Sequence, residues 1–254
     1  MKTKAFTCLC AGLLLAAAVR AETLEEVRSR LGAFQSDQPI KLVVDVNLQH
    51  RESAPLHREK VTERGTAKFS YGPDGVKALT QKWTTGRTHA SFWTSGKGKG
   101  EDIPLLDFEE AEGIANPAGV LVDLLDGATL VQDTQERWEG KPARLLVIRP
   151  AHVAAEPGEP ATDAPGSGRS PFAGAVKLWL DENGVPLGME GDLEVRFGPA
   201  LRGTQHQKVI FQQIEGRLLA AEVQETIENT ALGVLHGRDT RTLKVKVDQR
   251  AARK

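Results

Sequence analysis

Six histidines, His50, His57, His89, His152, His206 and His236, are the residues of this chain best suited to metal or proton-transfer chemistry, and their spacing supports neither. Metal sites readable in sequence set their histidines a few positions apart, and no histidine pair here is so placed. Gly96-Lys-Gly-Lys-Gly100 has the glycines of a phosphate loop but lacks its hydroxyl residue and spacing, so it reads as a turn. No Gly-x-Ser-x-Gly elbow is present. Glu109, Glu110 and Glu112 offer clustered carboxylates, for which a solvated helix face is the expectation. No catalytic residue, cofactor or metal site is therefore expected, and the chain does not read as an enzyme.

What the residues can do collectively is present an apolar surface. In the stretch from Gly188 to Phe197, Met189, Leu193, Val195 and Phe197 share one face of a strand, while Glu190, Asp192, Glu194 and Arg196 share the other. Val209 and Phe211 repeat the pattern on the next strand, and Leu121, Leu124 and Leu125 form an apolar stripe on a short helix opened by Asn116 and Pro117. These nine residues are the candidate binding surface. The same pattern serves equally as ordinary core, because a filled and an open interior look alike in sequence.

The elements that must position this surface are mostly strands. Thr23-Leu-Glu-Glu26 is a capping box, with Leu24, Val27, Leu31 and Phe34 following at helical spacing. Strands are expected over 41–48, 61–71 and 76–83, the last two joined by a turn at Gly72-Pro-Asp-Gly75. The period changes between 102 and 126, where the short helix falls. Strands resume over 128–138 and 143–148, and Leu145 to Ile148 is apolar on both faces, as in a strand covered on both sides. Further strands follow over 188–197, 204–214, 217–227 and 242–247, with turns at Glu139-Gly140, Asp181 to Gly184 and Glu215-Gly216. Four prolines and three glycines crowd 154–172, an inserted loop without periodicity.

The chain opens with Lys2 and Lys4, an apolar run from Ala5 to Val19, and small residues ending at Ala21, which is the pattern of a signal peptide cleaved after Ala21. Both cysteines, Cys8 and Cys10, would leave with it, so the exported domain, 22–254, must be stable through packing alone. Without Lys2, Lys4 and Arg20 the 33 basic residues become 30 against 34 acidic, a net charge of -4 that argues against a nucleic-acid partner. No transmembrane segment is expected in the mature chain. Only 5% aromatic residues and a single tyrosine disfavour a sugar-stacking module.

The order of elements resembles the LolA-like periplasmic lipoprotein-localisation carriers and, more loosely, the half-barrel domains of envelope-stress regulators. The resemblance is carried by Thr23-Leu-Glu-Glu-Val-Arg-Ser-Arg-Leu31, Asn116-Pro-Ala-Gly-Val-Leu121 and Leu178-Trp-Leu-Asp-Glu-Asn-Gly-Val-Pro-Leu187. Gly65-Thr-Ala-Lys-Phe-Ser-Tyr-Gly72 stands where that family has an arginine-proline-glycine-phenylalanine-arginine-like stretch, so the chain is similar to a diverged member. The resemblance implies a mainly β fold: a curved antiparallel incomplete barrel of about ten or eleven strands with two or three lid or flanking helices. It also implies a periplasmic protein holding a lipid or the acyl moiety of a lipidated protein. The alternative is an envelope protein–protein interaction module with a filled core. A continuous apolar void of several hundred cubic ångströms beneath the helix would favour carriage, and close packing under Leu121 to Leu125 would remove it.

Overall fold

A computed structural model describes residues 23–36, 38–54, 57–91, 106–151, 174–197, 201–231 and 235–248, with the side chains of 54, 57–59, 85–91, 193–197, 201, 202, 231 and 235 outside the description. The leader and the 154–172 loop also lie outside it. The described chain forms α1 (Leu24–Gly32), β1 (Ile40–Ala54), β2 (His57–Gly72), β3 (Gly75–Ser91), α2 (Phe108–Ala115), α3 (Pro117–Leu125), β4 (Thr129–Trp138), β5 (Lys141–Arg149), β6 (Val176–Leu180), β7 (Pro186–Phe197), β8 (Leu201–Ile214), β9 (Arg217–Ala231) and β10 (Leu235–Val247). The fold is mainly β: one open, curved, antiparallel sheet of ten strands with three helices, in the order β3-β2-β1-β10-β9-β8-β7-β6-β5-β4.

Two meanders build the sheet, and β10 returns to pair with β1 along Leu42↔Val247 to Ser53↔His236. This leaves β3 and β4 at opposite edges. The chain between them must cross the sheet, and it does so as α2 and α3, whose buried sides rest on the inner face. Helix placement therefore follows from strand order. Glu139-Gly140 and Glu215-Gly216 each have positive φ at both residues (49° and 84°, 54° and 78°), the geometry of primed two-residue hairpins that match strand twist.

Residues 41–48 account for only the first half of β1. The strand runs on to Ala54 because its backbone is paired with β2 and β10 on both sides, so it does not depend on further apolar residues. The apolar alternation stops at Leu48, and His50 and Glu52 continue the same face in polar form.

The core fills the space between the inner face and the helices. Leu42, Val44 and Val46 from β1, Leu146 and Ile148 from β5, and Leu178 and Leu180 from β6 are buried against Val27, Leu31, Ala118 and Leu121. β5 is covered on both faces, as its apolar run suggested, because Ala143 and Leu145 pack with Trp138 and Trp179 in a second cluster on the outer face. The two indole rings lie 4.4 Å apart, and Lys208 Nζ stands 4.6 Å from the Trp138 ring centre.

Gly188 lets that cluster form. A Cβ at this position would come within 2.1 Å of the Trp138 ring, which is too rigid and too buried to yield cheaply. Gly188→Ala should cost about 1–3 kcal/mol, the usual penalty of overpacking. Urea denaturation should show the midpoint falling with an unchanged slope. An unaltered midpoint would mean the indole pair is loosely held.

Candidate functional site

The α2–α3 pair covers the sheet incompletely. A cavity of about 170 Å³ remains between the helices and β7–β10. Its floor is Met189, Val209, Phe211, Ala220, Val223 and Leu243, and its roof is Gly113, Ile114, Pro117, Val120 and Leu121. Val120, at 50% exposed, marks the mouth, and Phe108 on α2 is 60% exposed. The roof exists because two short helices are each fixed at their start. Asp107 and Glu110 form a capping box for α2, and Asn116 accepts from Gly119 N at 3.3 Å with Pro117 in the first turn of α3. Ala111, Ala115 and Ala118 are small and wholly buried, which brings the helices close to the sheet.

Asn116 is the cap whose loss should be felt most directly at the roof. Asn116→Ala should cost about 1 kcal/mol. Hydrogen exchange should show the rise in opening concentrated in 117–125, and a uniform rise across the sheet would contradict a local role.

One end of the cavity is polar, formed by Glu110, Gln207, Glu225 and Arg241. Register explains why. Val223 pairs with Leu243 and Val209, so two residues further along the same face Glu225 pairs with Arg241 and Gln207. Arg241 Nη2 donates to Glu110 Oε2 at 2.9 Å, its Nη1 donates to Glu110 Oε1, and Nη1 lies 3.8 Å from Glu225 Oε2. Gln205 Nε2 donates to Glu225 Oε1. The guanidinium thus fastens α2 to β10 across the cavity wall. A second fastening joins Gln81 of β3 to the start of α2, through Leu106 N to Gln81 Oε1 at 3.2 Å and Gln81 Nε2 to Leu106 O.

Burial raises the Glu225 carboxyl above its ordinary value of 4.5, Arg241 opposes this, and nearby Glu110 adds to it. A carboxyl raised on folding contributes stability that is complete below its unfolded value and is lost as pH rises through the folded one. Glu225→Gln removes that loss. The stability of the variant minus that of the parent should therefore increase from pH 4 to pH 7, read by urea melts at each pH. A difference that shrinks over this range would reverse the assignment.

Leu121, Met189, Val209 and Phe211 of the expected surface come together at the cavity. Leu124 and Leu125 do not line it: Leu125 is buried in the core and Leu124 packs on the core's edge. The reason is α1, which packs against α3 and pairs Arg28 with Asp126 at 2.9 Å, closing the last helical turn. The side chains of Leu193, Val195 and Phe197 lie outside the described residues. The polar end was not anticipated from sequence. Its signal was parity alone, since Glu225 and Arg241 stand two residues from Val223 and Leu243 on paired strands. Among the described residues no group of three or more His, Cys, Asp or Glu is placed to hold a metal, and no helix is long and apolar enough to cross a membrane.

The fold and cavity together define an open, helix-lidded antiparallel sheet. No protein-family model matches the chain, and neither does any curated protein. Among solved structures, the chain is similar to a DUF1329 family protein from Desulfovibrio piger, with a TM-score of 0.33 and 9% identity over 89% of this chain and 92% of that one. It is similar to lipovitellin, with a TM-score of 0.32 and 9% identity over 84% of this chain, and spans only 25% of lipovitellin's length. A third likeness is to the Pseudomonas aeruginosa MucA/MucB complex, with a TM-score of 0.19 and 11% identity over 90% of this chain and 96% of that one. At such scores these likenesses carry no functional argument.

Proposed function

We propose that this protein is an exported, periplasmic binding protein that takes one acyl chain of a lipid or lipidated protein into the cavity beneath α2 and α3. It acts by holding its guest and performs no chemistry on it. The supporting observation is the cavity itself: apolar on floor and roof, with a mouth at the exposed Val120. Each methylene withdrawn from water contributes about 0.8 kcal/mol. A space of about 170 Å³ lies below the roughly 300–1,000 Å³ of pockets that enclose a whole ligand. The chain therefore enters end first, or α2 and α3 move outward to admit more of it.

The polar end restricts the headgroup. Arg241 is already engaged by two carboxylates, so the wall carries one net negative charge and offers acceptors more than donors. A long-chain alcohol or amine should bind at least tenfold more tightly than the fatty acid of equal length, measured by calorimetric titration of delipidated protein at pH 7. Tighter binding of the fatty acid would contradict this. The wider proposal is tested by organic extraction and mass spectrometry of protein purified from its native envelope, followed by titration with a single-chain amphiphile. Retained acyl ligand or saturable uptake is expected. Absence of both would favour the interaction module with a filled core, the reading to which the small cavity volume and the closed packing at Leu125 point. Amino-terminal sequencing of the exported protein should begin at Glu22.

A further inference from the structure

Charge is sorted across the sheet. On the inner face of the longer strands the described ionic side chains are Glu52, Glu63, Glu225 and Asp239 with His50 and Arg241. On β1 to β3 the outer face reads the other way. Alternation places Lys41 and Arg51 of β1, Lys60, Arg64 and Lys68 of β2, and Lys82 of β3 on it, and all six are exposed. None of the six forms an ion pair with a described residue. Asp45 is the acid this face presents on β1 to β3 among the described side chains, and it is taken by Lys246 at 2.8 Å. β10 extends the basic surface through Lys244 and Arg238, each offset by one glutamate of β9, Glu222 at 3.7 Å and Glu228 at 3.6 Å. A chain with a net charge of -1 thus gathers an excess of six uncompensated cations on one side of three neighbouring strands.

We infer that the outer face of β1–β2–β3 docks on an anionic lipid bilayer surface. The cations form a two-dimensional array, with neighbouring strands about 4.8 Å apart and same-face residues about 6.8 Å apart along each strand. Such an array meets a layer of headgroups, whereas it offers neither a helix nor a ribbon for a nucleic-acid groove. Between the cations stand Thr62, Thr66, Ser70, Thr80 and Thr84 with Val43, Asn47 and Gln49; the hydroxyls of Thr66, Ser70, Thr80 and Thr84 already donate within the sheet, to Asp45, Lys77, Lys68 and Arg64, so the cations carry the contact. No described aromatic side chain lies on this part of the face, which removes the stacking platform that single-stranded nucleic acid requires. Among the described side chains on this part of the face Val43 is apolar, and it is half-buried and forms no wedge, so the contact is electrostatic and superficial. The helices and the cavity mouth lie on the opposite side of the sheet, so docking leaves the cavity free. This inference stands whether or not the cavity takes a lipid.

Vesicle co-sedimentation with the full mature chain tests it. Vesicles of phosphatidylcholine with about one third phosphatidylglycerol should carry the protein down at about 0.05 M salt and release it at about 0.5 M, where the screening length falls to a few ångströms. Pure phosphatidylcholine vesicles should carry down none. Each cation at the surface is worth about fivefold in partitioning, so the combined Lys60→Glu, Arg64→Glu, Lys68→Glu and Lys82→Glu variant should lose more than a hundredfold. Lys141→Glu, at the β4–β5 hairpin, should leave partitioning unchanged. Should the fourfold variant fail to fold, Arg64→Gln alone should lose about fivefold with an unaltered circular dichroism spectrum. Equal binding to both vesicle types, undiminished binding by a folded fourfold variant, or preference for duplex DNA over anionic vesicles at equal charge would each overturn the inference.

Discussion

Arg241→Met should lower the free energy of unfolding by about 2–3 kcal/mol at neutral pH. The change removes the one guanidinium that Glu110 and Glu225 share and leaves two carboxylates facing each other at the cavity wall. Removing one partner of a fully buried pair costs about 3–5 kcal/mol, and a somewhat smaller loss is expected here because the Glu110 side chain is 38% exposed. The loss should shrink towards acid pH, because Glu225, whose carboxyl burial already raises, takes up a proton there and is no longer a stranded charge. Adding Glu110→Gln and Glu225→Gln to Arg241→Met should restore most of the stability, since no charge is then stranded. Chemical denaturation of the three proteins, parent, Arg241→Met and the triple variant, at pH 7 and pH 4 checks all of this. An Arg241→Met variant as stable as its parent would mean that α2 is held to the sheet by packing alone.

Val223→Phe should reduce the affinity for a single-chain amphiphile at least tenfold while leaving stability within about 1.5 kcal/mol of the parent. Val223 lies in the cavity floor between Val209 and Leu243, where a phenyl ring would occupy space that the protein's own side chains leave open. Filling a true void adds contacts, whereas forcing a ring into a closed core displaces its neighbours and costs about 1–3 kcal/mol. The variant therefore separates the two readings of the fold through its stability before any ligand is added. A stable variant that fails to bind supports carriage, and a strongly destabilised variant indicates a filled interior.

The parts of this structure that were legible in sequence are those governed by local rules. The Thr23–Glu26 capping box, the Asn116–Pro117 helix start, the Glu–Gly hairpin turns and the alternation from Gly188 onward each specify their own backbone within a few residues. Two kinds of feature were not legible. Strand order depends on which faces match across long separations, and nothing local announces that β10 lies beside β1 with Val46 opposite Leu243. The polar end of the cavity was hidden for a related reason. A charged residue in an alternating strand is expected to face water, yet Arg241 and Glu110 are 131 positions apart and neutralise one another on the covered side. The equal treatment of Leu121, Leu124 and Leu125 failed similarly, because a single apolar stripe cannot show which of its turns is capped by α1 and which opens onto a cavity.

Photo-crosslinking with a single-chain amphiphile carrying a diazirine at the chain terminus, followed by peptide mapping, addresses the cavity most directly. Labels should fall on the lining of one contiguous site, on Ile114, Leu121, Met189, Val209, Val223 and Leu243, and should be competed away by unlabelled amphiphile. Labels scattered over the exposed faces, or none that compete, would show that the space beneath α2 and α3 receives no guest.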